Sequence, residues 1–354
     1  MYPKMRIDLD KIEINTQNVV NLCKPQGVGV MGVSKGVCAD PEIVRRMIAA
    51  GVCWMGDSRI KNIKRLREAD FDVPLFMLRI PMISEASEIA KWADGSFVSS
   101  FIVAESLSKA ATALGKELKL ILMVEMGDLR EGLLQENLFS VAKQISELSG
   151  VELYGIGANF ACYGGVIPEA KVLEQLVKMA EKIREELDIP LPIVSGGNSS
   201  SVYLLPDKLP HGITQLRLGE AILLGQEAIW RQPVAGSFQD AFILEAEVVE
   251  VETKPSLPEG KIGIDAFGRV PVFEDRGIRK RAIVAIGRQD TVPEDLKPCA
   301  EGIEILGASS DHMILDIEDA KEEIVIGDIL SFQVRFYGAL LQGQTSKYVE
   351  KFHI

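Results

Sequence analysis

The sequence predicts an α/β fold in which a (β/α)8 TIM barrel is followed by a C-terminal all-β domain. Up to about residue 225, short apolar runs alternate with amphipathic helical stretches. From about residue 236 the pattern changes to the alternation of apolar and polar residues that is typical of half-buried strands. The chain has 354 residues, of which 47% are hydrophobic, so it can bury two cores.

Eight apolar runs in the first part are predicted to be strands, and runs this apolar are typical of parallel strands covered on both faces. Helical patterns separate them, with capping or proline signals after Asp40, after Asp57 and from Pro168. Eight strand-helix units fit a closed barrel better than an open doubly wound sheet. The predicted strands cover 27–34, 52–57, 74–80, 95–100, 118–127, 151–159, 191–197 and 214–219.

The second part contains longer alternating stretches separated by glycine, proline and acidic turns. The first ten residues precede the barrel, and we expect them to add a strand to the β domain. The predicted domains are therefore 1–10 with the β domain, 11–230 as the barrel and 231–354 as the β domain. The predicted β-domain strands lie within 241–253, 260–268, 280–289, 302–319 and 327–336.

Composition and charge favour a small-molecule enzyme. The formal net charge is -12 and no basic cluster stands out, which argues against nucleic acid as a partner. The start of the sequence lacks the apolar core of a signal peptide, and no apolar run approaches the roughly 20 residues of a membrane span. We therefore expect a cytoplasmic protein with neither a nucleic-acid nor a membrane partner.

The cysteines and histidines do not suggest a metal centre. The five cysteines are scattered and form no CxxC pair, which fits reduced thiols. The three histidines are too few and too far apart for a histidine-built site. We expect no metal ligands.

Lys35 ends the first predicted strand in "GVGVMGVSK". A buried ammonium costs free energy unless it is paired or its pKa shifts. Lys35 is either the first solvated residue after a core strand or a desolvated amine that attacks a carbonyl carbon. Because active sites of (β/α)8 barrels lie at the carboxyl ends of the strands, Lys35 stands where the second interpretation requires it.

The stretch "SGGNSSSV" after the seventh strand offers hydroxyls and backbone N–H groups at a predicted helix start. Such a turn suits a phosphate, although an ordinary flexible loop would have the same composition. The eighth strand adds Arg217, Gly219 and Glu220, and barrel phosphate sites commonly combine these two loops. A lysine, an arginine and a phosphate cradle are the parts expected for pyridoxal phosphate held as a Schiff base.

The chain resembles the alanine racemase-like, fold-type III pyridoxal-phosphate enzymes, and within them the ornithine and basic amino-acid racemase branch. The resemblance spans nearly the whole chain and rests on "VSKGVCAD", "EMGDLREGL", "NFACYGGVIP", "SGGNSSS", "LRLGEAILLG" and "YGALLQGQTSKYV". It implies a homodimeric racemase with active sites at the dimer interface, pyridoxal 5'-phosphate as cofactor, and ornithine or another basic amino acid as substrate. The alternatives are an alanine or serine racemase, and a D-hydroxy amino acid aldolase or dehydratase.

The resemblance implies roles for three cationic residues. Lys35 would bind the cofactor and then serve as one base for the Cα proton. Arg217 would face the pyridine nitrogen, and Arg130 would meet the ring oxygen and the substrate carboxylate. The alternatives are a rim ion pair for Arg217 and a solvated helix-start residue for Arg130.

The resemblance also implies a phosphate site. Ser199 would hold the phosphate together with the backbone of Gly219 and Glu220. A tyrosine from the end of the chain usually joins them, and Tyr348 fits this role best, with Tyr337 as a second candidate.

Two departures from the family pattern matter. Many relatives have a ring-stacking histidine where this chain has Asn159, so Asn159 would support the cofactor ring differently, with help from Cys162 or Tyr163. Alanine racemases take their second base from a tyrosine of the partner subunit, and Arg288 stands in its place here. We therefore expect His312 to act as the second base, with Asp311 or Asp290 orienting or replacing it. A structural histidine between strands is the alternative.

Overall fold

A computed structural model describes all residues of the chain, 1–354. They form two compact units. Leu9–Phe238 is called the barrel unit here, and Met1–Asp8 together with Gln239–Ile354 is called the β unit. None of the helices is both long and apolar enough to cross a membrane.

The barrel unit contains eight parallel strands that close in sequence order, and the first and last of them pair through Gly29 and Gln215. Strands are numbered along the chain, so that β1 (Lys4–Ile7) precedes the barrel. The barrel strands are β2 (Gly29–Val33), β3 (Trp54–Asp57), β4 (Leu75–Met77), β5 (Gly95–Val98), β6 (Leu118–Met123), β7 (Val151–Gly157), β8 (Ile193–Ser195) and β9 (Gln215–Leu218).

Helices connect the barrel strands. Asp40 begins the helix after β2, because its carboxylate accepts hydrogen bonds from the N–H groups of Glu42 at 3.0 Å and Ile43 at 3.5 Å while Pro41 fills the first position. The helices are α1 (Leu9–Cys23), α2 (Pro41–Ala49), α3 (Ile60–Glu68), α4 (Ala86–Trp92), α5 (Phe101–Ala113), α6 (Gln135–Ser146), α7 (Ala170–Leu187) and α8 (Glu220–Leu223). Short 3-10 turns occupy Lys24–Gln26, Lys35–Val37, Ile83–Glu85 and Ser199–Leu204.

Apolar side chains from alternating positions fill the barrel interior, as the predicted runs require. A cluster of buried residues joins β2, β4, β5, β6 and β8, and its members are Met31, Phe76, Phe97, Ile121, Met123 and Ile193. Gly95 permits close approach of two strands, since a Cβ there would lie 2.5 Å from the carbonyl oxygen of Lys119.

The β unit contains one sheet of eight strands and one helix, α9 (Tyr337–Thr345). The strand order is β12, β15, β10, β11, β14, β13, and β1 pairs with β10 and β16. The strands after the barrel are β10 (Phe242–Pro255), β11 (Ile278–Val284), β12 (Leu296–Pro298), β13 (Glu304–Ala308), β14 (Met313–Asp316), β15 (Ile329–Val334) and β16 (Glu350–His353). The predicted fold class, a (β/α)8 barrel followed by a C-terminal all-β domain, is confirmed.

The prediction of a strand within 260–268 was wrong, because this stretch is irregular. Gly260 and Gly268 have φ values of +107° and +76°, which strand geometry does not allow. The carboxylate of Asp265 accepts the N–H groups of Phe267 and Arg269, both at 2.8 Å, and so closes a turn. The glycines and the aspartate therefore determine the conformation of this stretch, despite its alternating apolar residues.

The barrel unit ends at Phe238, eight residues beyond the predicted boundary at residue 230. The side chain of Asn15 in α1 binds both backbone groups of Phe238, donating to its carbonyl at 2.8 Å and accepting its N–H at 2.7 Å. Asn18 also donates to Ser237 at 3.2 Å. These bonds hold the last segment of the unit against α1.

We expect Phe76→Ala to lower the free energy of unfolding of the barrel unit by about 3 kcal/mol or more, because it leaves a cavity in the barrel core. The three tryptophans, Trp54, Trp92 and Trp230, all belong to the barrel unit, so urea unfolding followed by tryptophan fluorescence reports on it. Ile102→Ala, at a residue that is 61% exposed, is the matched control and should change stability by less than about 0.5 kcal/mol. Equal losses in the two variants would contradict the assigned core.

Candidate active site

Lys35 lies just beyond the carboxyl end of β2. Ser34 precedes the short turn Lys35–Val37, and its N–H donates to the carbonyl of Gly56 at 3.0 Å. Cys38 ends the turn with φ at 52°, in the left-handed region. The turn thus directs the lysine to the end of the barrel at which active sites of this fold form, and Lys35 itself is only partly exposed.

The amine of Lys35 is surrounded by charged and polar groups from other strand ends. Burial lowers its pKa, and the guanidinium groups of Arg130 and Arg217 lower it further, whereas Cys162 and Asp57 oppose the shift. The neutral amine is therefore more accessible at neutral pH than that of a solvated lysine. This property suits a nucleophile or a proton-transfer base.

Arg217 is 6% exposed and has its guanidinium held at several points. It donates to Ser195 Oγ at 2.6 Å, to the Ala158 carbonyl at 2.8 Å and to Asn159 Oδ1 at 3.3 Å. Its guanidinium carbon also lies 5.1 Å from the ring centre of Phe97. Burial lowers the pKa of Arg217 to about 10, which still leaves it a cation at neutral pH.

Asn159 connects the groups around Arg217. Its Oδ1 accepts from Arg217 and from Asn198 Nδ2, the latter at 2.7 Å. Its Nδ2 faces Glu131 Oε1 and Cys162 Sγ, each at 3.5 Å. An amide can make all these contacts because it offers an acceptor on one side and donors on the other.

Glu131 is a site residue that the sequence reasoning missed. Both its oxygens accept from Arg130, with Nη2 donating to Oε1 at 2.5 Å and Nε donating to Oε2. Burial lowers the pKa of Arg130, but the hydrogen bonds and charge of Glu131 together with Cys162 and Asp128 outweigh it, so the net shift is upward. The sequence did contain a signal for Glu131, because a carboxylate directly beside a candidate arginine can orient the guanidinium group of that arginine.

The loop after β7 is fixed by a buried carboxylate, Asp128, which the sequence reasoning also missed. Asp128 accepts the N–H groups of Cys162, Tyr163 and Gly164 at 3.2, 3.2 and 3.1 Å. This loop carries Cys162 next to Asn159, and Asn198 Nδ2 lies 3.2 Å from Cys162 Sγ. Nothing in the sequence spacing indicated that residues 128 and 162–164 meet.

Ser199 begins the 3-10 turn Ser199–Leu204, contacts the start of α8 through its side chain and is 4% exposed. Its Oγ accepts the N–H of Ala221 at 3.0 Å, which leaves the hydroxyl proton free to donate elsewhere. Gly219 precedes α8 and Glu220 opens it, while the Glu220 carboxylate pairs with Arg231. Hydroxyl and N–H donors thus gather where two short helical segments begin.

These donors fit a phosphate. The first N–H groups of a helix lack acceptors within the helix, and an anion with several oxygens can accept from them. Gly197 has φ at +112°, and a Cβ there would lie 2.6 Å from Ser201 Oγ, so the turn requires glycine. Arg217 lies in β9, which pairs with both β8 and β2, and Lys35 follows β2. The residues therefore fit the phosphate, the aldehyde and the ring of pyridoxal phosphate.

The structure brings together Lys35, Arg130, Asn159 and Arg217. Lys35 interacts electrostatically with both arginines, and Arg217 donates a hydrogen bond to Asn159. Asn198 connects this group to Ser199, its neighbour in sequence, because it donates to Asn159. The roles of these residues stay predictions.

The remaining predicted residues lie in the β unit. Tyr348 is 74% exposed, and His312 Nδ1 lies 3.3 Å from Asp311 Oδ1 in the turn between β13 and β14. Arg288 donates through its Nη atoms to Glu294, and these bonds raise its pKa, so it is not a base. Their roles likewise stay predictions.

No group of three or more histidine, cysteine, aspartate and glutamate side chains is arranged to hold a metal ion.

Comparison with known proteins identifies relatives that match nearly the whole chain. The chain is 46% identical over 353 residues to an ornithine racemase of Acetoanaerobium sticklandii, covering 99% of both chains. It is 40% identical over 352 residues to a lysine racemase of Thermotoga maritima, covering 99% of this chain and 98% of that one. A solved alanine racemase from Streptomyces lavendulae has the same fold, with a TM-score of 0.75 at 18% identity over 99% of this chain and 96% of that one.

The family model described as "Alanine racemase, N-terminal domain" matches residues 7–227, which include the whole barrel. The match covers more than half of the chain and confirms the resemblance that the sequence motifs indicate. The chain therefore belongs to the alanine racemase N-terminal domain family.

Proposed function

We propose that this chain is a pyridoxal-phosphate-dependent racemase of a free basic amino acid, ornithine or lysine. The observation that carries the proposal is the partly desolvated amine of Lys35 among Arg130, Arg217 and Cys162 at the carboxyl end of the barrel. Two racemases that match over nearly the whole chain support the substrate class.

When bound, the cofactor supplies an electron sink that acidifies the Cα proton of the amino acid. Lys35 would take that proton, or return it, on one face of the substrate. Its lowered pKa suits this task, because an efficient base and acid has a pKa near the working pH.

Arg217 would face the ring nitrogen of the cofactor and limit its protonation. A guanidinium does not readily give up a proton, and the bonds to Ser195, Ala158 and Asn159 keep it in one orientation. A weakened electron sink favours simple proton transfer at Cα over side reactions. Ser199 and the start of α8 would bind the phosphate.

Arg130 would bind the substrate carboxylate with its guanidinium fork. Glu131 fixes the direction of that fork, and Asn159 connects Glu131 with Arg217. The two arginines are thus held by a shared polar network, which would place the carboxylate and the ring at a constant separation.

Racemisation also needs a proton donor or acceptor on the opposite face. Arg288 cannot supply it, since its pairing with Glu294 keeps it protonated. We propose that the chain acts as a homodimer and that the partner subunit's His312 supplies this group, oriented by the neighbouring aspartate. His312 lies at an exposed turn, which is compatible with such a contact.

Lys35→Ala should abolish the visible absorbance of the pyridoxal-phosphate-loaded protein and lower racemisation about a thousandfold or more, because both the attachment point and one base are lost. We would incubate single enantiomers of ornithine, lysine, alanine and serine in deuterated water and follow Cα exchange and chirality. Lys109→Ala, at an exposed lysine, is the control. A retained absorbance band in the Lys35 variant would contradict the assignment, and faster turnover of alanine or serine would contradict the basic substrate class.

Glu131→Gln should raise the KM for the amino acid about tenfold with a smaller change in kcat, because Arg130 loses its charged partner and its fixed orientation. The measurement is steady-state racemisation with the cofactor saturating. Glu136→Gln removes an exposed carboxylate nearby in sequence and should leave KM unchanged. An unchanged KM in Glu131→Gln would remove this residue from the substrate site.

His312→Ala should slow interconversion about a hundredfold while leaving cofactor binding intact. Since Lys35 would still serve one face, deuterium exchange should persist for one enantiomer and fall for the other. His211→Ala, at an exposed histidine of the barrel unit, is the matched control. If interconversion stays at the wild-type rate, the second group lies elsewhere.

A further inference from the structure

Gln215 is a buried amide in the interior of the barrel. It stands two residues before Arg217 in β9, so the two side chains point to the same face of the strand. Arg217 lies opposite Met31 of the buried cluster, and its guanidinium carbon is 5.1 Å from the ring centre of Phe97 in the same cluster. Gln215 is 0% exposed and lies further from the carboxyl end of the strand. The proposed function gives this amide no role.

Ser195 joins the two side chains. It lies in β8 opposite Gln215 and is also fully buried. Arg217 Nη1 donates to Ser195 Oγ at 2.6 Å, and Ser195 Oγ donates to Gln215 Oε1 at 2.9 Å. A hydroxyl has one proton, so donation to Gln215 leaves its lone pairs to accept from the guanidinium. The three side chains therefore form a directed chain of hydrogen bonds from the cation to the amide.

The orientation of the Gln215 amide follows from the same donors and acceptors. If the amide were turned over, its nitrogen would face Ser195 Oγ, and the hydroxyl proton would have no acceptor in either Gln215 or Arg217. The observed orientation supplies that acceptor. It also leaves Gln215 Nε2 buried without a hydrogen-bond partner.

The unpartnered nitrogen indicates that packing does not explain Gln215. A buried N–H without a partner costs free energy, and an apolar side chain of similar volume would fill the same space without that cost. The hydrogen bond that the side chain does make is the one from Ser195. This bond acts on Arg217, because it fixes the direction of the hydroxyl that the guanidinium binds.

The bond to Ser195 holds one nitrogen of the Arg217 fork. Nη2 donates to the Ala158 carbonyl and to Asn159 Oδ1, which follow β7, whereas Nη1 donates to Ser195 in β8. The fork is thus held from two neighbouring strands. Rotation of the guanidinium requires the bond to Ser195 to break.

We propose that Gln215 is a positioning residue for Arg217, and that it acts through Ser195 to hold the guanidinium against rotation. This role rests on the proposed function only in what Arg217 faces, the ring nitrogen of the cofactor. The hold itself is a property of the cofactor-free chain.

Gln215→Met should make the guanidinium protons of Arg217 exchange with solvent about tenfold faster, because the Ser195 hydroxyl loses its acceptor and binds Arg217 less well. Nuclear magnetic resonance of the cofactor-free chain with 15N-labelled arginine would measure this exchange, and Arg217→Lys would assign the signal. Gln215→Glu retains an oxygen toward Ser195 and should restore slow exchange. Gln144→Met, at an exposed glutamine, is the matched control and should change nothing.

Arg184 separates positioning from a general loosening of the barrel unit. Its guanidinium donates to the Leu191 carbonyl at 3.1 and 2.8 Å, and its exchange should stay at the wild-type rate in every variant. If Gln215→Met does not fold, Gln215→Leu carries the same expectation. Faster exchange at both arginines, or unchanged exchange at Arg217 in the folded variant, would overturn the proposal.

A second arm tests the role of Arg217 toward the cofactor. Each variant is mixed with pyridoxal phosphate that carries 15N in the ring, and the chemical shift of the ring nitrogen reports on the group that it faces. Borohydride reduction and mass spectrometry then show whether the cofactor is attached to Lys35. A ring-nitrogen shift in Gln215→Met that differs from those of the wild type and Gln144→Met supports both proposals.

The two arms distinguish the two proposals. Absence of trapping on Lys35 in every variant, together with faster exchange at Arg217 in Gln215→Met, would reject the proposed function and leave the hold on Arg217 standing. Trapping on Lys35 with an unchanged ring-nitrogen shift in Gln215→Met would overturn the positioning role of Gln215.

Discussion

The desolvation of one amine is the constraint on which the rest of the barrel site depends. Burial makes the ammonium of Lys35 costly, and the two guanidinium groups nearby make it costlier. The polar groups described around it pair with the two guanidinium groups or fix their orientation. Glu131 serves Arg130 in this way, and Asn159 serves Arg217. The site is stable because its charges are paired by donors and acceptors in fixed positions.

The fold could be predicted because buried parallel strands have continuous apolar sequences. The ends of those strands then indicate where Lys35, Arg217 and Ser199 lie. The error at 260–268 arose because alternation of apolar residues was weighed above three glycines and an aspartate turn. Interactions between residues close in sequence could therefore be predicted. The pairing of groups that are distant in sequence is apparent only in the structure.

Asp57 and Asp128 illustrate that limit. Asp128 binds N–H groups 34 to 36 residues further along the chain, and Asp57 binds a hydroxyl 23 residues before it. An acidic residue beside a loop is usually solvated, so composition alone gives no reason to single these out. Their importance comes from complete burial and from the number of donors that converge on them, and neither property is visible in one sequence.

The order of segments in the β unit has a consequence for synthesis. Strand β1 contributes residues 4–7 to a sheet whose other members begin at residue 242, and its parallel neighbour β16 ends at residue 353. On the ribosome the barrel can complete its closure while β1 still lacks both neighbours. The segment stays unpaired until β10 emerges, and one of its edges stays open until β16 emerges, so chaperone binding to nascent chains would be concentrated there.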